Sequence, residues 1–450
     1  MSKNYVEQYR NKLISAQGAA QLINSGDYIL YGPFLARPID FDHALAARHN
    51  ELNDVAIYMA GGTYPPPDTA MIDPAMGAFY HTSFYFTAID RKLHDNDRMF
   101  YLPCHFSQGG VIFARHYYPP YYAVVQVSPM DKNGFFSFGI ANTYSYEGCI
   151  NANHIIVEVN ENIPRVPGGS EDVIHISMVN NIIEGSNSPL FELPKPKAAS
   201  VTDHAMANLL LEEIPDGACL QLGVGSLPNL LGELLCESNL KDLGIHSEMF
   251  CDSMMHMFES GLVTNRYKIT DRGKAVFTFC LGSKETYEFI ENNPFLASHP
   301  CSYTNNPRII GMNPNVVSIN NCLEVDLFSQ VCAESSGIRQ ISGSGGQLDF
   351  VEGAAVSPGG KSFLCLTSTY TDHQGVVHSR IVPTLKPGSI VTTPRASVEY
   401  IVTEYGKAEL KAQNTWKRAE RLIAIAHPDF QDQLVKEAEE MKIWRRSNRL

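Results

Sequence analysis

Short runs that are apolar on both alternating faces recur along this chain, separated by stretches with helical spacing. Ala123–Pro129 reads AVVQVSP, His154–Asn160 HIIVEVN, Ala218–Val224 ACLQLGV, Ala275–Leu281 AVFTFCL and Ser362–Thr369 SFLCLTST. A strand wetted on one face alternates apolar with polar residues, whereas one covered by helices on both faces does not. Between the runs, Asp203 is placed to cap a helix through Ala205, Met206, Leu209 and Leu210, which share one face. Thr415–Ile425 and Gln431–Met441 predict amphipathic helices, broken at His427-Pro428 because proline disfavours helix in the residue before it. The alternation predicts α/β architecture with largely parallel sheets.

The clearest interruption is Glu184–Ser200, EGSNSPLFELPKPKAAS, with three prolines and no periodicity. It divides the chain into expected domains 1–195 and 196–450, similar-sized α/β halves suggestive of a duplicated fold. With 44% hydrophobic and 18% charged residues, both halves can bury sizeable cores. The 35 basic and 48 acidic residues leave a net charge of -13, which repels polyphosphate and argues against a nucleic-acid partner. A small anion can still bind through local amides. None of the ten cysteines forms C-x-x-C, so neither a zinc ribbon nor a redox dithiol is expected. MSKNYVEQYRNKLIS has no signal-peptide apolar region, and no run approaches the roughly 20 apolar residues of a membrane helix. The expectation is a soluble cytoplasmic protein with reduced thiols and no membrane partner.

Two glycine-bearing stretches are candidates to carry chemistry. Gln221–Asn229, QLGVGSLPN, follows an expected strand and opens an expected helix at Leu227–Leu235, with Pro228 in its first turn. Gly223 and Gly225 let a ligand approach the backbone, and free amides at a helix start attract an anion. An ordinary strand-to-helix turn shows the same pattern. Ile341–Phe350, ISGSGGQLDF, offers Gly343, Gly345 and Gly346 as amide donors for an anion or oxyanion, or else a turn before another strand. Asn320 and Asn321, in VVSINNCLEVDL, have side-chain amides suited to the same work, or end a strand.

Glu248 lies among small and apolar residues in HSEMF. A carboxylate there is paired, partly solvated or functional, because burying a lone charge is expensive. Held against an activated carbonyl, it can form a covalent acyl intermediate. A surface glutamate is the plain alternative, and nearby His246 and His256 have structural alternatives too. A dinucleotide-binding oxidoreductase competes, since Glu248 stands about 20 residues beyond the glycines, where a ribose-binding acid would be. Pro228 counts against it by replacing the third glycine of G-x-G-x-x-G. In the N-terminal half, YGPF at Tyr31–Phe34, AGGTYPPP at Ala60–Pro67 and SQGGVIF at Ser107–Phe113 are candidate walls of an apolar pocket. Tyr117, Tyr118, Tyr121 and Tyr122 follow closely. The basic end, Trp444–Arg449, is a solvated tail or a source of phosphate or subunit contacts.

Taken in order, QLGVGSLPN, HSEMF, ISGSGGQLDF, IVPTLKPGSIVTTPR, IVTEYGKAEL, IAHPDF and IWRRSNR resemble the acetyl-CoA hydrolase/transferase branch of family I CoA-transferases across nearly the whole chain. The likeness is greatest to butyryl-CoA:acetate CoA-transferases, with 4-hydroxybutyrate CoA-transferases nearby. It implies two open α/β CoA-transferase-type domains with the active site between them and the catalytic glutamate, Glu248, carried by the C-terminal one. It makes Gly223, Val224, Gly225, Ser226 and Leu227 a CoA-binding loop, and brings Leu323, Gly345 and Gly346 to CoA. Asn320 becomes a donor to a developing oxyanion, jointly with an amide of the Gly345-Gly346 turn. One departure is the loop Tyr370–Gly375, YTDHQG, which lacks a lysine that relatives often carry there and leaves His373 or a backbone amide for any CoA-phosphate contact.

The resemblance implies CoA exchange between a short-chain acyl-CoA and a carboxylate, butyryl-CoA and acetate first, through a glutamyl-CoA thioester. CoA is a substrate, and no metal, redox group or other tightly bound cofactor is expected. A 4-hydroxyacid, or a dicarboxylate such as itaconate or succinate, would need additional polar or cationic contacts, for which Arg37 and Arg115 are the candidates. An acyl-CoA hydrolase is the same-fold alternative, and a non-catalytic CoA-binding protein a weaker one. A homodimer or an assembly of dimers is the expected state.

Overall fold

The computed structural model describes residues 3–114, 121–195, 198–223 and 225–445. It divides the chain into two compact units. The first comprises Met1–Pro194, Glu248–Cys251 and Lys274–Asn305; the second comprises Lys195–Ser247, Asp252–Gly273 and Asn306–Leu450. The chain leaves the first unit where the proline-rich stretch lies, then returns to it twice. Glu248 itself groups with the first unit, although the residues on either side of Glu248–Cys251 belong to the second. The four residues Glu248–Cys251 join it because Met249–Phe250 pairs in parallel with Phe279–Cys280, also of that unit.

The first unit is built on a seven-stranded sheet, ordered Phe100–Tyr101, Phe79–Ser83, Val55–Met59, Tyr28–Tyr31, Tyr121–Val127, His154–Val159 and Asn181–Glu184. Every pairing in it is parallel. Ile29, Tyr31, Val55, Ile57, Val124 and Ile156 are fully buried, as expected of strands whose sequence shows no wet face. Helices including Ala16–Ala20 and Asp40–Ala46 supply Ala19, Ala20, Phe41 and Leu45 to the same core.

The second unit has a six-stranded sheet, ordered Gly244–Ile245, Cys219–Leu222, Val316–Asn321, Lys361–Cys365, Tyr400–Thr403 and Gly406–Glu409. Its pairings are parallel except for the last hairpin. Thr415–Ala424 and Pro428–Glu440 are helical, with Leu422, Ile423, Leu434 and Val435 turned into the core. His427 caps the second of these and Pro428 opens it. At the start of the unit, Ser200 is the cap of Val201–Leu211; Asp203 lies three residues in and closes a reciprocal capping box. All ten cysteines are free thiols, eight of them buried. Among the described residues, no helix is long and apolar enough to cross a membrane.

Candidate active site

In the first unit, Glu248 sits at the start of a strand whose backbone is already engaged. Its carbonyl accepts hydrogen bonds from Thr278 N at 3.0 Å and Phe279 N at 3.3 Å, which fixes the main chain beneath the carboxylate. The side chain is half-buried. Asn305 Nδ2 donates to Glu248 Oε2 at 2.6 Å. Asn305 lies in the turn after the helix Cys301–Thr304 and is fully buried. Burial, followed by the nearby charge of Glu248, pushes the Tyr85 phenol up to about 12, so it remains protonated at neutral pH.

An aromatic wall stands next to this strand. Phe34 stacks on Phe279 with ring centroids 4.0 Å apart, and Phe106 approaches Phe34 at 6.4 Å and Phe279 at 6.2 Å. Phe34 adopts φ +47°, a conformation costly for a bulky side chain. Gly61 makes room for it, since a Cβ there would lie 2.0 Å from the Phe34 ring. Phe34 N also donates to Ala60 O at 2.9 Å. Thus YGPF, AGGTYPPP and the segment leading into SQGGVIF do meet, and Phe279 completes the wall. Tyr121 and Tyr122 instead bond to the carbonyls of Gly148 and Leu22, while Tyr117, Tyr118 and Arg115 lie outside the described residues.

In the second unit, Gly223, Gly225 and the Gly345-Gly346 turn lie near the carboxyl ends of neighbouring strands. Gly223 follows Cys219–Leu222, and its N–H bonds Ile319 O at 3.0 Å on the adjacent strand. Val224 lies outside the described residues. Gly225, with φ +127°, precedes the helix Ser226–Glu237, where Leu227 and Pro228 are buried. A Cβ on Gly225 would sit 3.5 Å from Asn321 Nδ2. Gly345 adopts φ +51°, and Gly346 opens Gln347–Val356, a helix rather than the strand considered as the alternative. Gln347 Nε2 ties this helix start to Asn321 O at 2.8 Å. Leu323 belongs to a different local arrangement: its N–H bonds Cys332 O at 2.8 Å, and its carbonyl accepts from Arg380 Nη1 at 3.0 Å.

Asn320 has a more specific setting than its sequence suggests. Its Nδ2 donates to Gln221 Oε1 and Ser318 Oγ, both at 3.0 Å, while its Oδ1 accepts from Gln221 Nε2 at 3.1 Å. Both amide hydrogens are thus engaged, and donation to an oxyanion requires one to change partner. Gln221 is buried and has no distinguishing signal of its own in the sequence, although it stands in the QLGVGSLPN stretch itself. Asn305 had no sequence signal beyond a turn-like SYTNNP.

Other expected contributors are engaged elsewhere. Arg37 is buried, lies 3.7 Å from Asp42 and donates to Pro65 O at 2.6 Å. His246 is buried with its N–H on Leu220 O at 3.1 Å. The Thr371–Gly375 loop turns a hairpin about Asp372, which accepts from the N–H groups of Gln374 and Val376 and bonds His378 Nε2 at 2.8 Å. The His378 hydrogen bond leads the causes that lower the Asp372 carboxyl to about 2; His373 is exposed. Arg445 lies over Trp416 at 5.4 Å, and Arg446–Leu450 fall outside the described residues. No described group of three or more His, Cys, Asp or Glu side chains forms a potential metal site.

Comparison with known proteins matches residues 1–192 to the acetyl-CoA hydrolase/transferase N-terminal domain and 282–438 to its C-terminal domain. The chain belongs to the acetyl-CoA hydrolase/transferase family. It is 45% identical to the butyryl-CoA:acetate CoA-transferase of Anaerostipes caccae, over 99% of this chain and 100% of that protein. The 4-hydroxybutyrate coenzyme A transferase of Clostridium kluyveri is 39% identical over 96% of this chain and 98% of its own. Among solved structures, RipA from Yersinia pestis superposes with a TM-score of 0.89 at 37% identity, covering 98% of this chain and 99% of that one. A 4-hydroxybutyrate CoA-transferase from Porphyromonas gingivalis gives 0.78 at 33% identity, covering 97% and 100%. These findings bear out the CoA-transferase resemblance and the mixed α/β fold with mainly parallel sheets. The protein is an enzyme of this family, which displaces the dinucleotide-binding alternative.

Proposed function

We propose that this enzyme transfers CoA between butyryl-CoA and acetate, with Glu248 as the nucleophile. The full-length 45% identity to proteins named for that reaction carries the reading. The half-buried Glu248 carboxylate beside an aromatic wall supplies chemistry consistent with it. Glu248 attacks the acyl carbonyl, and CoA leaves as thiolate, giving an acyl-glutamyl anhydride. The thiolate then attacks the glutamyl carbon, expelling butyrate and leaving a glutamyl-CoA thioester. Acetate repeats both steps in reverse and departs as acetyl-CoA. One thioester is exchanged for another, so no ATP or electron acceptor is consumed.

Gly223–Leu227, Leu323 and Gly345-Gly346 are proposed to hold CoA. Asn320 or a Gly345-Gly346 amide is proposed to donate to the acyl oxyanion, where loss of one donor costs roughly 3 kcal/mol. A water-excluding acyl site favours transfer over hydrolysis. The neutral aromatic wall suits a short unsubstituted chain, and Arg37 is already held by Asp42 and Pro65, which disfavours a dicarboxylate. A 4-hydroxyacid remains the second reading, supported by 39% identity to such an enzyme. A homodimer or an assembly of dimers in the cytoplasm completes the proposal.

Butyryl-CoA should yield acetyl-CoA only when acetate is supplied, with parallel lines in double-reciprocal plots. Borohydride reduction of butyryl-CoA-loaded protein, followed by peptide mass spectrometry, should locate the modification at Glu248. Glu248→Gln should abolish rapid transfer because it retains side-chain size without the anionic nucleophile. Full transfer by Glu248→Gln protein or labelling elsewhere would reject the nucleophile. Acetate-independent CoA release would favour hydrolysis.

A further inference from the structure

We infer that Thr87 and Asp90 are positioning residues for the acyl wall. By holding both backbone groups of Gly62 they fix the loop that seats Phe34 beside Glu248, and so set how strongly the site favours a butyryl chain over a shorter one. This inference rests on Glu248 being the nucleophile and on the Phe34–Phe279 wall receiving the acyl chain.

Asp90 Oδ2 accepts from Gly62 N at 2.7 Å, and Thr87 Oγ1 donates to Gly62 O at 2.6 Å. The same two side chains form the reciprocal capping box of the helix Ala88–His94. There Thr87 N bonds Asp90 Oδ2 at 2.8 Å and Ile89 N bonds Thr87 Oγ1 at 3.2 Å. A capping box completes the hydrogen bonds of its own helix start. This one also reaches a loop 28 positions before Asp90, and its carboxylate is fully buried. Burying a carboxylate is expensive, and Asp90 Oδ1 has no hydrogen-bond partner among the described residues. A neutral amide side chain also closes a capping box. What a carboxylate oxygen adds is stronger acceptance from two N–H groups at once, those of Thr87 and Gly62.

From Gly62 the restraint runs to Glu248 through contacts of the first unit. Gly61 N donates to Tyr85 O at 3.1 Å, and Phe34 N to Ala60 O at 2.9 Å. The glycine pair is matched to its neighbours: a Cβ on Gly61 would lie 2.0 Å from the Phe34 ring, and one on Gly62 would lie 2.6 Å from Asp90 Oδ1. Phe34, at φ +47°, holds a conformation that persists only where the surroundings over-determine it. Its ring centroid is 4.0 Å from that of Phe279, whose N–H bonds Glu248 O at 3.3 Å. Releasing Gly62 therefore lets Phe34 relax out of the wall, which removes more apolar contact from a four-carbon chain than from a two-carbon one.

Single-turnover formation of the Glu248–CoA thioester, measured separately with butyryl-CoA and acetyl-CoA, tests this. The ratio of the two rate constants does not depend on the fraction of protein folded, so a loss of stability alone leaves it unchanged. Wild type should prefer butyryl-CoA at least about tenfold, because each methylene in an apolar pocket is worth that much. Thr87→Val keeps the shape but loses the donor to Gly62 O, and should reduce the preference about fivefold or more with CoA affinity kept. Thr87→Ser retains the hydroxyl and should restore the wild-type ratio. Asp90→Ala should lower the ratio in the same direction, and the Thr87 pair remains decisive if that variant does not fold. A Thr87→Val ratio within about twofold of wild type, or an equal loss in Thr87→Ser, overturns the Gly62 clamp and leaves Glu248 and the wall standing. A wild type without preference for butyryl-CoA overturns the wall reading, and absence of CoA from Glu248 overturns the nucleophile; the clamp falls with either.

Discussion

Gly223 and Gly225 stand two residues apart and pose different conformational problems. Gly225 has φ +127°, which a side chain resists whatever space surrounds it. A bulky substitution there mixes backbone strain with any loss of ligand contact. Gly223 has no such constraint: an added Cβ would lie 3.4 Å from Ile319 O and 3.9 Å from Asn320 Oδ1, both acceptable contacts. Gly223→Ala should therefore fold with a melting temperature within about 2 °C of wild type, yet weaken CoA about tenfold if the ligand meets this backbone. Calorimetric CoA titration checks it, and unchanged affinity returns Gly223 to a turn role. At Asn320, removal of the amide should cut turnover about 10²-fold with CoA affinity largely kept, as measured by kcat and Kd together. Equal loss of binding and stability, with normal turnover per folded site, would make the Gln221–Ser318–Asn320 cluster structural. The Asn320-Asn321 pair stands out in the sequence because it ends an apolar run, while the role proposed for Asn320 comes from the family resemblance. Asn305 does not stand out, because the carboxylate it bonds lies 57 positions away.

At the level of elements, the parallel strands were legible from their two-sided apolarity, whereas the polar groups pinning strands to helices were not. His81, on Phe79–Ser83, joins Thr69 on Asp68–Ile72 through Nε2 at 3.0 Å. Thr69 donates its hydroxyl proton to Asp42 Oδ1, so Nε2 carries the His81 proton and the buried Nδ1 has no partner. Burial first, then the Arg37 charge, pushes the imidazole down to about 3. Unfolded histidine titrates near 6.5, so between these values the unfolded chain binds the extra proton. The contribution is complete above about pH 6.5 and declines as pH falls toward 3. Over two pH units this amounts to about 2–3 kcal/mol. Asp42 and Asp90, whose pKa values burial raises, act in the opposite direction over the acid range. A difference measurement isolates the histidine: His81→Gln keeps a donor for Thr69 but does not titrate. Urea unfolding at pH 6.5 and 4.5 should show wild type losing about 2–3 kcal/mol relative to His81→Gln. A difference that stays constant would mean that His81 charges in place.

Across the whole molecule, the first crossing between units was legible and the returns were not. Prolines and lost periodicity mark the exit after Pro194, whereas further crossings after Ser247, Cys251, Gly273 and Asn305 leave no compositional trace. Apolar residues such as Met249 and Phe250 have the same pattern whichever core receives them; only their pairing with Phe279–Cys280 places them. A fragment cut at the sequence boundary should therefore fail as an autonomous domain. Residues 1–195 would lose Phe279 from the Phe34 ring, the bridge partners of Ala141, Thr143 and Gly168, and the Tyr287 hydroxyl bound to Phe191 O. Those losses leave backbone groups unpaired and an aromatic face uncovered. The isolated fragment should aggregate or bind a hydrophobic dye, with no cooperative urea transition, under conditions where the full chain unfolds cooperatively. Size-exclusion chromatography, dye fluorescence and near-UV circular dichroism measure those outcomes. A monodisperse 1–195 fragment with sharp aromatic dichroism and a cooperative transition would show that Lys274–Asn305 is dispensable to this fold, leaving its contacts to serve the Glu248 site alone.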